Sequence, residues 1–447
     1  MEHHERQVGT ALHLNGYIAA ARLGAFALGA ALALGAASAV GAASAVGAAS
    51  RDPTAGAAAS ISAPEAPFRA PYLPSADAEL LQDVPSAADP AVVQMHGLRV
   101  QLDAAPQSLD AAIRLADAYV DYGRQIGDAH FAGYAEAVIA PWLATRQPPA
   151  QALLTEATVL QYRHQFSEAR ALLQRTLGAD PSNAQAWLTL ATLDMVQGDH
   201  RTAGKDCVQV MATGGLSLGM ACAGELRSYL GQARQGLAIL QQLESAGGKV
   251  PVSYQAWVQG LLAETAERLG DWPLAETHYR HALQLLPHDN FLLVAYADFL
   301  LDRGRPHEVL ELLADHTQSD TAFLRLALAQ AALRGADATR YAWIMGARFE
   351  ALRIRGSDYF GREQARFALQ LQHDPQTALE IAQQNWRLQR EPWDARVLLE
   401  AALAAGQPRA ALPVLEFLQQ TKLEDPIIGP LAQNLRAQLK PLVGANQ

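Results

Sequence analysis

Two cysteines, a pair of histidines and one glycine-flanked serine are the residues of this chain whose types and spacing could do chemistry. Cys207 and Cys222 stand about 15 residues apart, with Gly214-Gly215 centred between them. If the stretches on either side are antiparallel helices joined at that turn, residues equidistant from it lie at the same height. A disulfide is then feasible, and a loop of that length is worth about 3 kcal/mol. The alternative is two buried thiols acting as small hydrophobes. No C-x-x-C spacing supports redox exchange.

His278 and His281 sit at i, i+3, with His288 beyond. That spacing could bring two imidazoles to one metal. No carboxylate pair accompanies them, so the stretch reads as a solvated helix face and no metal is assigned. Gly215-Leu216-Ser217-Leu218-Gly219 is a literal G-x-S-x-G. A nucleophilic serine of that type needs a strand before it and a helix after it. The preceding CVQVMATG reads as helix, so Ser217 is expected to cap the helix that follows. No catalytic residue and no cofactor is assigned, and the chain does not read as an enzyme.

The elements that must position these residues are helices. Of 447 residues, 50% are hydrophobic and only 18% charged, with alanine filling much of the difference. A chain rich in Ala and Leu and poor in β-branched residues favours helix. The formal net charge of −10 argues against a nucleic-acid binder, which needs Lys and Arg to neutralise phosphates. Two cysteines exclude a disulfide-dense scaffold.

The N-terminus has the order of an export signal. Arg22 abuts the apolar run LGAFALGAALALG, and small residues follow. Ala37-Ser38-Ala39 and Ala43-Ser44-Ala45 both fit a small-x-small cleavage site, giving a signal segment over 1–45. An uncleaved inner-membrane anchor facing the periplasm is the alternative, since the uncharged run is long enough to span a bilayer. Residues 46–74 are rich in Pro, Ala and Ser and read as a linker. Capping helices are expected over 75–107, a repeat array over 108–425, and a capping helix and tail over 426–447.

The array is visible as self-similarity. AWLTLATLDMVQGDHRTAGKDCVQV, from Ala186, and GLLAETAERLGDWPLAETHYRHALQLLPHD, from Gly260, both run a helix into Gly-Asp. Each then places Ala four residues after the Asp, at Ala203 and Ala275. Units start near 113, 150, 184, 217, 256, 290, 321, 359 and 392, about 35 residues apart. The units near 113, 321 and 359 match poorly.

These residues resemble the tetratricopeptide repeat (TPR) family. Trp187, Leu190, Ala191, Gly198, Asp199 and Ala203 fit one unit of its pattern. Leu262, Ala263, Gly270, Asp271, Ala275, Tyr279, Ala282 and Pro287 fit another. The resemblance implies an all-α, right-handed α-solenoid of about nine helix pairs with terminal caps. Helices A and B of each pair pack antiparallel, with small residues where the backbones approach. Cys207, on a helix B, holds the inward position that Tyr279 holds elsewhere.

The resemblance also implies a concave groove lined by helix A. Its positions here are Gln161 and Tyr162; Thr192 and Met195; Glu225, Ser228 and Tyr229; Trp257, Glu264, Glu267 and Arg268; and Phe291, Asp298 and Leu301. Tyr162, Met195, Glu225, Tyr229, Trp257, Glu264, Arg268 and Asp298 are the expected partner-binding residues. Aromatics beside polar groups suit a peptide or a protein domain. No Lys or Asn stands there to clamp an acidic C-terminus. The expected function is a periplasmic interaction scaffold binding a protein or peptide, with no nucleic acid. A membrane enters only if the N-terminal segment is retained. A membrane-anchored accessory subunit of an envelope complex and a metal-handling or enzymatic repeat protein are the competing readings.

Overall fold

The structure, a computed structural model, describes residues 89–246, 250–354 and 361–444. The signal segment, the linker and the start of the expected N-terminal cap lie outside the described residues. The described residues from Met95 onward belong to one compact unit.

The described residues form twenty α-helices and one short 3₁₀ turn, without a strand. Helix α1 (Pro90–Ala104) leads in. Nine hairpins follow: α2 (Leu109–Ile126) with α3 (His130–Leu143), α4 (Ala150–Tyr162) with α5 (Phe166–Ala179), and α6 (Ala184–Val196) with α7 (His200–Gly214). Next come α8 (Leu216–Tyr229) with α9 (Ala233–Ser245), α10 (Val252–Arg268) with α11 (Trp272–Leu285), and α12 (Asn290–Asp302) with α13 (Pro306–Leu312). The last three are α14 (Asp320–Ala332) with α15 (Ala338–Ile354), α16 (Gly361–Gln370) with α17 (Pro375–Leu388), and α18 (Pro392–Ala404) with α19 (Leu412–Thr421). Helix α20 (Ile428–Gly444) ends the array, burying Ile428, Ala432 and Leu435 against the last hairpins. The observed starts agree with the expected ones to within a turn of helix. The array is the all-α helical-repeat solenoid that the sequence implies.

The Gly-Asp pairs explain the hairpin turns. Gly198 and Gly270 adopt φ of +78° and +73°, the left-handed region that costs an L side chain strain. The following Asp199 and Asp271 accept from the backbone N–H groups of Thr202 and Leu274, capping α7 and α11. Alanines let the paired helices close: Ala191 and Ala203, like Ala263 and Ala275, are fully buried. Where the sequence puts His164, Arg334 and His373 at the equivalent turn, those residues take the left-handed conformation themselves, at φ of 59°, 52° and 55°.

The array also coils back on itself. Gly127, at φ +69°, sits so close to Ser319 and Asn290 that a Cβ would meet them within 3 Å. Residues of the first two hairpins, from Ala111 to Tyr162, share one apolar cluster with residues of hairpins five to eight. His164 Nδ1 lies 2.8 Å from Gln389 Nε2, and the Arg390 N–H donates to the Val196 carbonyl at 2.7 Å. The Ala233 N–H donates to Glu424 Oε2 at 3.2 Å. Each early hairpin thus meets chain five or six hairpins further on.

Gly304 has φ +68° and open space where a Cβ would stand. Gly304→Ala should therefore cost about 1 kcal/mol through backbone strain alone, read as a lowered midpoint in urea unfolding with an unchanged m-value.

Candidate partner-binding groove

The eight residues expected to line an open groove are all on the inner side of the coil or between its hairpins, and the chain itself covers them. Tyr162, Met195, Glu225, Tyr229, Trp257, Arg268 and Asp298 are buried, and the Glu264 side chain is 14% exposed. Met195 and Tyr229 meet Arg390, Pro392 and Phe417 around a small apolar pocket. Glu264 and Arg268 face Arg362, Glu391, Trp393 and Asp425 across a polar cavity of about 70 Å³. Trp257 packs between hairpins with Tyr254, Leu240 and Leu261. The expectation of an open concave surface is corrected: helix A supplies an interior face, because the tight coil brings hairpins eight and nine onto it.

That interior is polar as well as apolar, and its charges are paired. Asp298 lies between two buried arginines, 2.7 Å from Arg325 Nη2 and 2.9 Å from Arg366 Nη2. Burial alone would raise its carboxyl; the two guanidiniums outweigh that and hold it at about 2. Arg362 bridges Glu391 at 2.6 Å and Asp394 at 2.7 Å, and Asp394 accepts further from Asn385 and the Glu391 N–H. Arg268 stacks over Tyr229, 4.6 Å from the ring centre, and donates to Ser228 Oγ at 3.0 Å. Glu225 and Glu267 are not fully compensated. Burial, with Glu264 nearby, pushes Glu225 up to about 8. Burial likewise pushes Glu267 up to about 8, although the Tyr279 hydroxyl donates to it at 2.8 Å.

Cys207 and Cys222 are joined by a disulfide, with Cα atoms 5.6 Å apart, on α7 and α8. Both are buried beside Leu218, Leu226 and Val210. His278 departs from expectation: it is buried, with Nδ1 2.6 Å from Gln259 Oε1, while His281 stays exposed. His278 thus meets Gln259 of α10 rather than solvent. Among the described residues no group of His, Cys, Asp and Glu could hold a metal. Ser217 is exposed in the first turn of α8, and Gly215 rather than Ser217 stands at the cap position. Its carbonyl accepts from the Tyr254 hydroxyl, which is a packing contact.

An open surface exists elsewhere. Between α15 and α16 the stack parts into a cleft of about 680 Å³. Leu301, Leu328, Ala331, Ala332, Ala342 and Leu371 give it apolar walls of mostly small residues. Arg366 and Arg396 line it as well, their guanidinium carbons 4.3 and 4.2 Å from the centre of the Trp393 ring. Thr339 and His373 are exposed at its rim. Arg396 holds Asp302 through both terminal nitrogens, at 2.6 and 2.7 Å. Sequence reasoning passed over this region because its units fit the repeat pattern poorly. The available signal was an arginine inside each apolar helix: Arg325 in AFLRLALA and Arg366 in QARFAL.

No protein-family model matches the chain, and no curated protein matches its sequence. Solved structures do align with it. The APC/C hetero-tetramer Cut9-Hcn1 does so at 14% identity and a TM-score of 0.39, over 77% of this chain and 52% of that one. The human IFIT1 dimer with m7Gppp-AAAA gives 12% identity, a TM-score of 0.42, and coverage of 74% and 86%. The P58(IPK) TPR domain gives 13%, 0.20, and 79% and 95%. The chain spans about half the length of the first of these. At such identities and scores the likeness adds nothing to what the hairpins themselves show.

The raised carboxyls set a pH dependence. Glu225 and Glu267 bind protons more tightly in the folded chain than in the unfolded one, where glutamate titrates near 4.3. Their stabilisation is complete below that value and is lost as pH rises towards 8. Stability measured by urea unfolding should fall between pH 5 and 8, and Glu225→Gln should flatten that slope. Reducing the disulfide should cost about 2–4 kcal/mol, measured by the same unfolding with and without reductant. By its own glycine turns, aspartate caps, close-packed alanines and nine hairpins, the described chain is an all-α helical-repeat array.

Proposed function

We propose that this chain is an exported interaction scaffold of the bacterial periplasm, which holds a segment of a protein partner and does no chemistry of its own. The open cleft between α15 and α16 carries the reading. It is the size of a ligand site, which commonly runs about 300–1,000 Å³, and it combines apolar walls with a few convergent polar groups. The partner engages this cleft, since the concave face is covered by the chain's own hairpins eight and nine. The disulfide between Cys207 and Cys222 supports the location, because such bonds persist in oxidising compartments and are rare in the cytosol.

The test is partner capture from envelope extract with the full-length mature chain and with Ala332→Trp. Ala332 is exposed on the cleft wall, so the indole fills the cleft without entering the core. A partner that is retained by the native chain and reduced at least about tenfold by the variant, a loss of 1.4 kcal/mol, supports the reading. Equal retention by both contradicts it. Cell fractionation with thiol alkylation before and after reduction tests the compartment: the chain should be in the envelope fraction with both thiols unreactive until reduced.

A further inference from the structure

The polar cavity inside the coil holds more carboxylates than its arginines can match. It lies between α10 on one side and, on the other, the start of α18 and the link before α20, and its volume is about 70 Å³. Two arginines line it. Arg362 is taken up by Glu391 and Asp394, and Arg268 bridges only Glu264, at 3.4 Å. The arginines further out bring carboxylates of their own. Arg325 and Arg366 share Asp298, Arg325 also meets Glu363, and Arg396 holds Asp302 and Glu400. Glu225, Glu267 and Asp425 are left without an arginine or lysine bridge among the described residues. Glu267 Oε2 accepts from the Tyr279 hydroxyl and Asp425 Oδ1 from the Ile427 and Ile428 N–H groups; the other oxygen of each has no donor among the described residues.

Tyr229 points to a ligand independently of these acids. It is 6% exposed and lines the cavity beside Glu264 and Arg268, yet its hydroxyl has no hydrogen-bond partner among the described residues. Arg268, Glu225, Glu264 and Glu391 act on that hydroxyl, so it faces the charged cavity. Burial pushes Glu225 up to about 8, with Glu264 adding to the rise and Arg268 opposing it. Burial pushes Glu267 up to about 8 as well, with the Tyr279 hydroxyl opposing and Asp302, Asp425 and Glu264 adding. Both carboxyls therefore hold protons at neutral pH when no cation neutralises them. The unmatched acids fall into two groups, Glu225 beside Glu264 and Glu267 beside Asp425. Among the described residues no group of His, Cys, Asp and Glu converges as a metal ion requires. An ammonium group suits dispersed acceptors, since it offers three donors with one charge. The cavity has room for roughly five waters, or for an amine of about six non-hydrogen atoms. Glu267 and Asp425 are partly exposed, so solvent reaches the cavity beside them.

We propose that this cavity binds a small aliphatic diamine. One ammonium group sits at Glu267 and Asp425, and the other at Glu264 and the Tyr229 hydroxyl oxygen. The two charges take the place of the protons that Glu225 and Glu267 otherwise hold. Bound there, the diamine ties α8 and α10 to the link before α20 and strengthens closure of the coil. The proposal is separate from the scaffold reading, because the cleft between α15 and α16 is a different surface; either can fail alone.

The experiment is calorimetric titration of the oxidised full-length mature chain with 1,4-diaminobutane, butylamine and the neutral 1,4-butanediol. The diamine should bind with a dissociation constant below about 1 mM, well inside the ceiling for a ligand of that size. Butylamine should bind at least about fivefold more weakly, and the diol should not bind. Because the cation displaces protons from Glu225 and Glu267, the diamine should bind at least about fivefold more tightly near pH 8.5 than near pH 6.5. Tyr229→Phe and Glu267→Gln each remove one polar partner while keeping the shape, and each should weaken the diamine about tenfold. Glu350→Gln, on the exposed face of α15, should leave it unchanged. Circular dichroism and the urea midpoint check that the variants fold. Absence of diamine binding below about 1 mM at either pH, equal binding of butylamine or the diol, affinity independent of pH, or affinity unmoved by both Tyr229→Phe and Glu267→Gln would overturn the proposal.

Discussion

Every hairpin in this chain has an apolar face that only another hairpin can cover. That constraint makes the core one-dimensional, and it makes each unit's stability depend on its neighbours. In this array the neighbours are of two kinds. One is the next hairpin in sequence, as in any stack. The other lies five or six hairpins further on, where the coil returns: the Gly127 turn against Asn290 and Ser319, Val196 against Arg390, Ala233 against Glu424. The second set closes the inner face. Leu293, Tyr296 and Phe299 consequently share a cluster with Ile113 and Val138.

Closing that face carries a cost, because helix A brings charged residues to it. Asp298, Arg325, Arg362, Arg366 and Asp394 are all buried. Burying charges is expensive unless each is paired with good geometry. The bond lengths of 2.6–2.9 Å around Asp298, Arg362 and Asp394 are what that requires. A register in which hairpin eight slipped against hairpin six would strand Arg366 without Asp298. The network therefore fixes how the coil closes. Where the pairing is incomplete, at Glu225 and Glu267, proton binding takes its place.

Local structure was legible in the sequence. Gly198-Asp199 and Gly270-Asp271 gave the turn and the cap together, and Ala191 with Ala203 gave the close approach of the helices. Cys207 and Cys222 were placed by their equal distance from Gly214-Gly215. All of these are consequences of short-range geometry. The candidate site was not legible in the same way. Tyr229, Glu264 and Arg268 stand on the inner face as expected, yet whether that face is open depends on the curvature of the whole coil. Curvature is the sum of small rotations between hairpins, and no single unit's sequence reports it. The same limit applies to His278, which is buried against Gln259 of the neighbouring helix. The cleft was missed because repeat matching rewards conformity, and the units at 321 and 359 depart from the pattern where Arg325 and Arg366 replace apolar residues.

Closure of the inner face is the central claim, and hydrogen exchange of one amide tests it most directly. The Arg390 N–H lies in the short link between α17 and α18, outside any helix, and its bond runs to Val196 across the coil at 2.7 Å. If the coil is closed in solution, that amide should exchange as slowly as amides in the middle of α6 and α18, opening only with wider unfolding. Exchange at the rate of an exposed link, while those helices remain protected, would show an open inner face and contradict the account.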